Sequence, residues 1–411
     1  MRQGRRVAVV GLGAFTPLGN TPQAMLEALY AGVSGIRAVP HWAQVEGLKT
    51  LVAGEVDLAG REGELPRKLR RSLARVGLLA ALSARDAVAD AGLAPADLAS
   101  PRAGVSFGST SGGTADMELF IKTIYANQSV KGILSSHYLK CMSHTCAANL
   151  AVMFGTQGPM VASCTACTSG SQGVGYGYQA IRWGQAELMV TGGAEEGHLM
   201  NGAIFDLMQA TSTRYNHQPH LTPRPFDAAR DGLVVAEGGG VLILEEWDHA
   251  RARGARIYAE VVGFGNTTSG THLTNSDAGG IAACMLAALA DAGLTPGDVG
   301  YVSAHATATQ VGDQAEAEAT SRVFGEKTPV SGQKGHMGHT LGASGALESI
   351  AVILMGRAGR LAPTRNLDNP DPALPPLDHL VGACRATGTD TVMNNNFAFG
   401  GVNTSLIFRL V

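Results

Sequence analysis

At 411 residues the chain is longer than one ordinary hydrophobic core supports, so two domains or two tightly fused halves are expected. Charged residues make up 16% and aromatics 5%, with 54 glycines, a small-residue-rich α/β composition with much buried surface. A net charge of −3 and an expected absence of any basic run argue against nucleic acid or an anionic membrane as main partner; no apolar run is long enough to span a bilayer, and six cysteines without framework spacing suit a reducing cytoplasm.

The chain opens with Arg5-Arg6 and the apolar Val7-Ala8-Val9-Val10, which mimics a signal peptide. Gly11-Leu12-Gly13 and Thr16-Pro17-Leu18-Gly19-Asn20 break it early, so it reads as a first buried strand and turn. A helix end, a Gly cap and a Pro turn follow in Ala87 to Leu98, then the strand Ala103-Gly104-Val105-Ser106-Phe107 and the small polar loop Gly108-Ser109-Thr110-Ser111-Gly112-Gly113.

Next comes the most telling stretch. After Pro159-Met160-Val161-Ala162, the run Thr165-Ala166-Cys167-Thr168-Ser169-Gly170 predicts a strand ending in a tight turn into a helix from about Ser171 to Arg182, closed by Gly184. Free N–H groups and the dipole at such a helix start stabilise a thiolate, so a lowered Cys167 pKa is expected. A thiolate with histidine partners points to acyl transfer through a thioester. Cys164 is taken as a small buried hydrophobe. Cys164-Thr165-Ala166-Cys167 would also fit a redox pair, but that leaves the downstream histidines and lysine unexplained. Any one of the twelve histidines is more often a surface or core residue than a catalyst; the constellation raises the odds.

The second part of the chain repeats the first. Ala288 to Val299 matches Ala87 to Leu98, and a strand, Val299 to Ser303, opens into the loop His305-Ala306-Thr307-Ala308-Thr309. Val261-Val262-Gly263-Phe264-Gly265 echoes Val9 to Gly13, and the turn Lys334-Gly335-His336-Met337-Gly338-His339 with a helix from Gly345 to Met355 echoes the Cys167 turn. Chance similarity of Ala/Gly-rich segments is the bland alternative; four features in one order favour duplication. Two βαβ-built halves with buried parallel-type strands follow, their functional loops converging at one end of both sheets.

These residues resemble the elongating β-ketoacyl-acyl-carrier-protein synthases of the thiolase fold, over nearly the whole chain. The likeness rests on Arg5 to Gly13, Thr165-Ala166-Cys167, Arg224-Pro225-Phe226-Asp227 through Gly232, His305 leading to Gly312-Asp313, Lys334 leading to His339, Leu341-Gly342-Ala343, and Asn396-Phe397-Ala398-Phe399-Gly400-Gly401-Val402-Asn403. It implies a five-layer αβαβα sandwich of duplicated halves, with the nucleophile and dimer interface in residues 1–252 and the catalytic His/Lys in 253–411. It implies decarboxylative condensation of an acyl group on Cys167 with malonyl-acyl-carrier protein. His305 and His339 would stabilise the enolate, and the N–H groups of Cys167 and Phe399 would form an oxyanion hole. Phe399 would also gate the pocket, with Phe397 and Gly400 at the substrate, and Thr307 and Thr309 would bind the phosphopantetheine arm. Lys334 would hold His339 and the local field, with Glu348 either its partner or a plain helix-face carboxylate. Asn403 and Asp231 look structural.

No metal or dissociable cofactor is implied, only substrates carried on phosphopantetheine. The expected partners are an acyl-carrier protein and a second copy, or a Cys-lacking paralogue of the chain-length-factor type; the expected location is cytoplasmic. Against the family pattern stand Ala306, Gln310, Gly335-His336, Ala398 and Ser111. Ser111 lies where housekeeping members place a bulky aliphatic, so a long or specialised acyl chain is expected. A thiolase or chain-initiating synthase would replace the second histidine, a non-catalytic partner would lack Cys167, and a cysteine hydrolase has no use for two histidines and Lys334.

Overall fold

The computed structural model describes residues 4–411. Eleven strands form one hydrogen-bonded sheet. The first part of the chain supplies β1 (Val7–Phe15), β2 (Ala103–Gly108), β3 (Met160–Ser163), β4 (Leu188–Glu195) and β5 (Gly238–Glu246). The second supplies β6 (Ala259–Thr268), β7 (Tyr301–Ser303), β8 (Pro329–Ser331), β9 (Asp378–His379), β10 (Thr391–Phe397) and β11 (Val402–Leu410). Their order across the sheet is β9-β8-β7-β10-β11-β6-β1-β5-β4-β2-β3.

Read outward from the β1/β6 seam, the two halves are the same object. Each runs first, fifth, fourth, second, third in its own strand count, with β9 added at the far edge of the second. Pairing types match too: β2 lies parallel to β3 and β4, as β7 does to β8 and β10, while β4–β5, β5–β1, β10–β11 and β11–β6 are antiparallel. The expectation of parallel-type strands therefore holds for three strands of the first half and four of the second, β9 lying parallel to β8, and fails for the other two in each. A strand buried on both faces is a near-continuous apolar run in either direction, so composition does not reveal which way it points.

The helices complete five layers. Arg75–Asp90 (α1) and Thr145–Phe154 (α2) cover the outer face of the first half-sheet. Ala278–Ala292 (α4) covers the second, with Gln310–Phe324 (α5) packed on it. Ser169–Arg182 (α3) and Ser344–Arg357 (α6) fill the layer between, α3 on β2 and β4, α6 on β5 and β10. The repeated helix ends coincide in detail. Gly92 and Gly293 both take left-handed φ, +64° and +66°, and Asp97 and Asp298 each accept the N–H three residues back at 2.8 Å.

The middle layer positions the site. A Cβ on Gly345 would lie 2.4 Å from the Ser171 nitrogen, so α3 and α6 cross backbone against backbone at their N-terminal ends. Both start earlier than expected, because a 3₁₀ turn (Ala166–Thr168, Leu341–Ala343) runs straight into each. Cys164 is exposed, not buried: it follows the edge strand β3, whose free side pairs with no strand among the described residues.

Candidate active site

Cys167 sits in the turn between β3 and α3, buried, with Ala166 before it at φ +49°. Positive φ on alanine stores strain at the turn that presents the sulfur. Ser169 braces it, its Oγ accepting from the Thr165 N–H at 2.9 Å and donating to the Ala166 carbonyl at 2.7 Å. Burial pushes the thiol up to about 12, against the pull of Lys334 and the residue's own N–H. The expected lowering is thus overturned: the helix end is present, but desolvation of a wholly enclosed sulfur outweighs it. Cys167 rests as a thiol.

His305 and His339 arrive from the other half. His305 follows β7 in a turn where Ala306 and Ala308 take φ +28° and +67°. Two carboxylates from one face of α5 hold that turn. Glu316 accepts the N–H groups of His305 and Ala306 at 2.8 and 2.6 Å, and Asp313 accepts those of Ala308 and Phe226 at 3.0 and 2.7 Å. His339 is fixed by its N–H to the Val234 carbonyl at 2.7 Å. The rings stand 5.1 Å apart at 85°, with His339 Nε2 2.9 Å from Cys167 Sγ.

The neighbours of each ring decide where its proton lies. His339 Nδ1 accepts from the Leu341 N–H at 3.3 Å, and Ser344 Oγ lies at 3.0 Å, free to donate as well. His305 Nδ1 faces Lys334 Nζ at 3.1 Å and Asn396 Nδ2 at 3.4 Å, both donors. Burial and the Lys334 charge hold both imidazoles well below 6.5, so each is neutral with its one proton on Nε2. His339 Nε2–H faces Cys167 Sγ, and one ring nitrogen of His305 lies within 4.8 Å of that sulfur.

Lys334 corrects a second expectation. It reaches His305, not His339, and its other partner is Glu348 Oε1 at 2.5 Å, both residues fully buried. Glu348 is therefore an ion-pair partner rather than a plain helix-face carboxylate; burial raises its pKa and Lys334 opposes the rise.

A cavity of about 550 Å³ opens above these groups, lined by Cys167, His305, His339, Thr307, Thr309, Phe397 and Phe399 among others. The hydroxyls of Thr307 and Thr309 lie 3.0 Å apart in its wall, and Phe399 leans on Phe205 with ring centroids 5.8 Å apart. Two expected residues lie outside it. Ser111 is exposed on the loop after β2, and Gly400, also exposed, donates its N–H to the Leu273 carbonyl at 2.6 Å. Cys167 Sγ and one nitrogen of each histidine fall within 4.8 Å of one another, a spacing metal sites use. The protons on both Nε2 atoms and the neighbouring Lys334 make it a poor cation site.

Sequence reasoning passed over several residues. Glu316 could have been found from its position three after Asp313 on one helix face. Asn396 could have been found as part of Asn394-Asn395-Asn396, an amide run inside an otherwise apolar strand. Glu195, buried at the end of β4, accepts the N–H groups of Thr110 and Gly342 at 2.7 and 3.2 Å, joining two functional loops. The basic run Arg67-Lys68-Leu69-Arg70-Arg71 corrects the expectation that the chain has none, and its four charged residues are exposed.

These buried carboxyls give the fold an uncommon pH response. Burial raises Glu316 from 4.5 to about 8, Glu195 to about 7 and Asp313 from 3.8 to about 6. A carboxyl with a raised folded pKa binds more protons folded than unfolded, so its stabilising contribution is lost as pH climbs from its unfolded value through its folded one. The thermal midpoint is expected to fall between pH 5 and pH 8, and Glu316→Gln to flatten that decline. A midpoint that rises steadily over this range in both proteins contradicts the assignment.

A cysteine and two imidazoles, presented by matching turns of a duplicated sheet with a buried Lys–Glu pair behind them, define an acyl-transferring enzyme of the thiolase fold. Residues 4–250 match the Beta-ketoacyl synthase N-terminal domain and residues 258–368 its C-terminal domain. The chain belongs to the β-ketoacyl synthase family. It is 36% identical over 406 residues to 3-oxoacyl-[acyl-carrier-protein] synthase 1 of Haemophilus influenzae, covering 98% of this chain and 99% of that one. A β-ketoacyl synthase from Burkholderia phymatum STM815 superposes with a TM-score of 0.96 at 45% identity, covering 99% of this chain and all of that one. The ishigamide ketosynthase/chain length factor follows at 0.92 and 31%, with 99% and 100% covered.

Proposed function

We propose that the chain joins an acyl group to a two-carbon unit from malonyl-acyl-carrier protein by decarboxylative Claisen condensation. The observation that carries this reading is the approach of two imidazoles to Cys167, their rings 5.1 Å apart and the Nδ1 of each facing donors, which leaves the proton of each ring on Nε2. In loading, Cys167 Sγ attacks the acyl-carrier thioester, the pantetheine sulfur leaves, and the thiol proton passes to it. The N–H groups of Cys167 and Phe399 hold the tetrahedral oxygen. Malonyl-carrier protein then loses carbon dioxide, and the negative oxygen of its enolate is received by His305 and His339. The enolate carbon attacks the Cys167 thioester. The sulfur departs as a thiolate and takes up one proton from solvent, which restores the thiol and balances the carboxylate lost as carbon dioxide.

Lys334 and Glu348 set the orientation of His305, while Thr307, Thr309, Phe397 and Phe399 line the arm's path. The nucleophile thus belongs to residues 1–252 and the enolate donors to 253–411, and no dissociable cofactor enters. No helix among the described residues is long and apolar enough to cross a membrane, and six free cysteines support a cytoplasmic location. Arg67, Lys68, Arg70 and Arg71 supply the charge to dock an acidic, phosphate-bearing carrier.

The free edge of β3, with Met160 50% and neighbouring Val152 77% exposed, supports pairing with a second copy. A Cys-lacking partner is the alternative favoured by the ketosynthase/chain length factor neighbour. Ser111, exposed in one chain, would then face the partner's acyl tunnel. Ser111→Phe adds bulk there, where overpacking costs about 1–3 kcal/mol. Activity on long acyl chains is expected to drop while short ones are spared; an equal loss at all lengths removes Ser111 from the tunnel.

Mass spectrometry after incubation with acyl-carrier protein tests the whole reading. An acyl group on Cys167, released as β-ketoacyl product only when malonyl-carrier protein is added, is expected. Release as free acid without condensation would make the protein a hydrolase.

A further inference from the structure

We propose that Asn396 is a positioning residue for His305, sharing with Lys334 the task of keeping Nδ1 bare so that Nε2–H points into the cavity. The proposal rests on the reading that His305 serves the enolate. Asn396 lies on β10, fully buried, and spans three partners. Its Nδ2 donates to Glu348 Oε2 at 2.7 Å and lies 3.4 Å from His305 Nδ1. Its Oδ1 accepts from Asn394 Nδ2 at 3.2 Å, and Asn394 is itself held by the Gly345 carbonyl at 3.2 Å and Ser349 Oγ at 3.3 Å.

That chain of contacts fixes which way the amide points. Turned over, Asn396 would set its oxygen against the Glu348 carboxylate and its NH₂ against the NH₂ of Asn394, two unfavourable pairs in place of two hydrogen bonds. With the amide so fixed, every polar group around His305 Nδ1 is a donor. A proton on Nδ1 would meet the ammonium of Lys334 and the amide of Asn396 head-on, leaving one N–H of each buried group without an acceptor. The bond at 3.4 Å is long by itself; its effect lies in closing off the alternative tautomer. Asn396 also ties this arrangement to the other half, because its carbonyl accepts from Thr404 Oγ1 at 3.1 Å and Thr404 meets Ser171 Oγ of α3 at 2.6 Å.

Asn396→Asp tests this at nearly constant volume. It replaces the NH₂ with an acceptor facing Nδ1, so His305 should gain an Nδ1 proton. Nitrogen-15 NMR of histidine-labelled protein is expected to show His305 with a bare Nδ1 and a protonated Nε2 in the wild type, and a protonated Nδ1 in the variant. Decarboxylation of malonyl-pantetheine should fall roughly a hundredfold, the usual effect of losing one oxyanion donor, while acylation of Cys167 by an acyl-pantetheine continues. A wild-type spectrum with a protonated Nδ1 overturns the proposal even if the variant does not fold, as does a folded variant with unchanged spectrum and decarboxylation. A wild type that never condenses would instead overturn the reading beneath it, leaving the tautomer result standing.

Discussion

Cys167→Ala protein is expected to fold, to bind carrier protein, and to form no condensation product. Among the described residues that line the cavity Cys167 alone carries a thiol, so without it no acyl-enzyme is expected to form. The same variant should still decarboxylate malonyl-carrier protein, because the rings of His305 and His339 and the Lys334–Glu348 pair behind them do not depend on the sulfur for their placement. Carbon dioxide release without a β-keto product is therefore the signature to seek. Condensation near the wild-type rate would mean that another group carries the acyl chain.

His305→Ala and His339→Ala should behave in the opposite way. Each removes one Nε2–H from the enolate, and loss of a single preorganised donor costs roughly a hundredfold or more in rate. Loading should persist in both, since the Cys167 turn is braced by Ser169, which bonds Thr165 and Ala166, and not by either imidazole. It should persist better in His305→Ala, because only His339 lies within hydrogen-bond distance of the sulfur. Separate assays of Cys167 acylation and malonyl decarboxylation check this. Variants that fail in loading while decarboxylating normally would exchange the roles assigned here.

How far the sequence could be read depended on whether a property is local. The turns carrying Cys167, His305 and Lys334 announce themselves because small residues around a reactive one are needed for tight turns and close backbone approach. The duplication was legible because Gly92 and Gly293 must solve the same steric problem. Strand direction was not, since antiparallel β5 and parallel β4 carry the same apolar filling. The pairing of Lys334 with Glu348 could be anticipated, but which histidine it meets was hidden because Nζ, at the end of a long side chain, reaches whichever turn packing brings near. The protonation of Cys167 misled for a related reason: a helix start is visible in sequence, whereas the depth of burial that dominates the thiol is a product of both halves. Asn396 looked like part of a motif, and only the positions of Glu348 and Asn394 show what its amide does. Ser111 waits on a second chain.

The seam between the two halves carries a consequence for how this enzyme works in dilute solution. Cys167 and the two histidines lie in separate copies of one repeated unit, yet β1 and β6 pair directly, Val7 opposite Val261, and the two central helices touch backbone to backbone. Had the copies remained separate polypeptides, each turnover would have depended on their meeting, and the alignment of sulfur with imidazole would have varied with concentration. Covalent fusion through a shared sheet makes that alignment a permanent property of the chain. The entropy of bringing the groups together is met once, at folding, and the effective molarity of imidazole at the sulfur no longer depends on dilution.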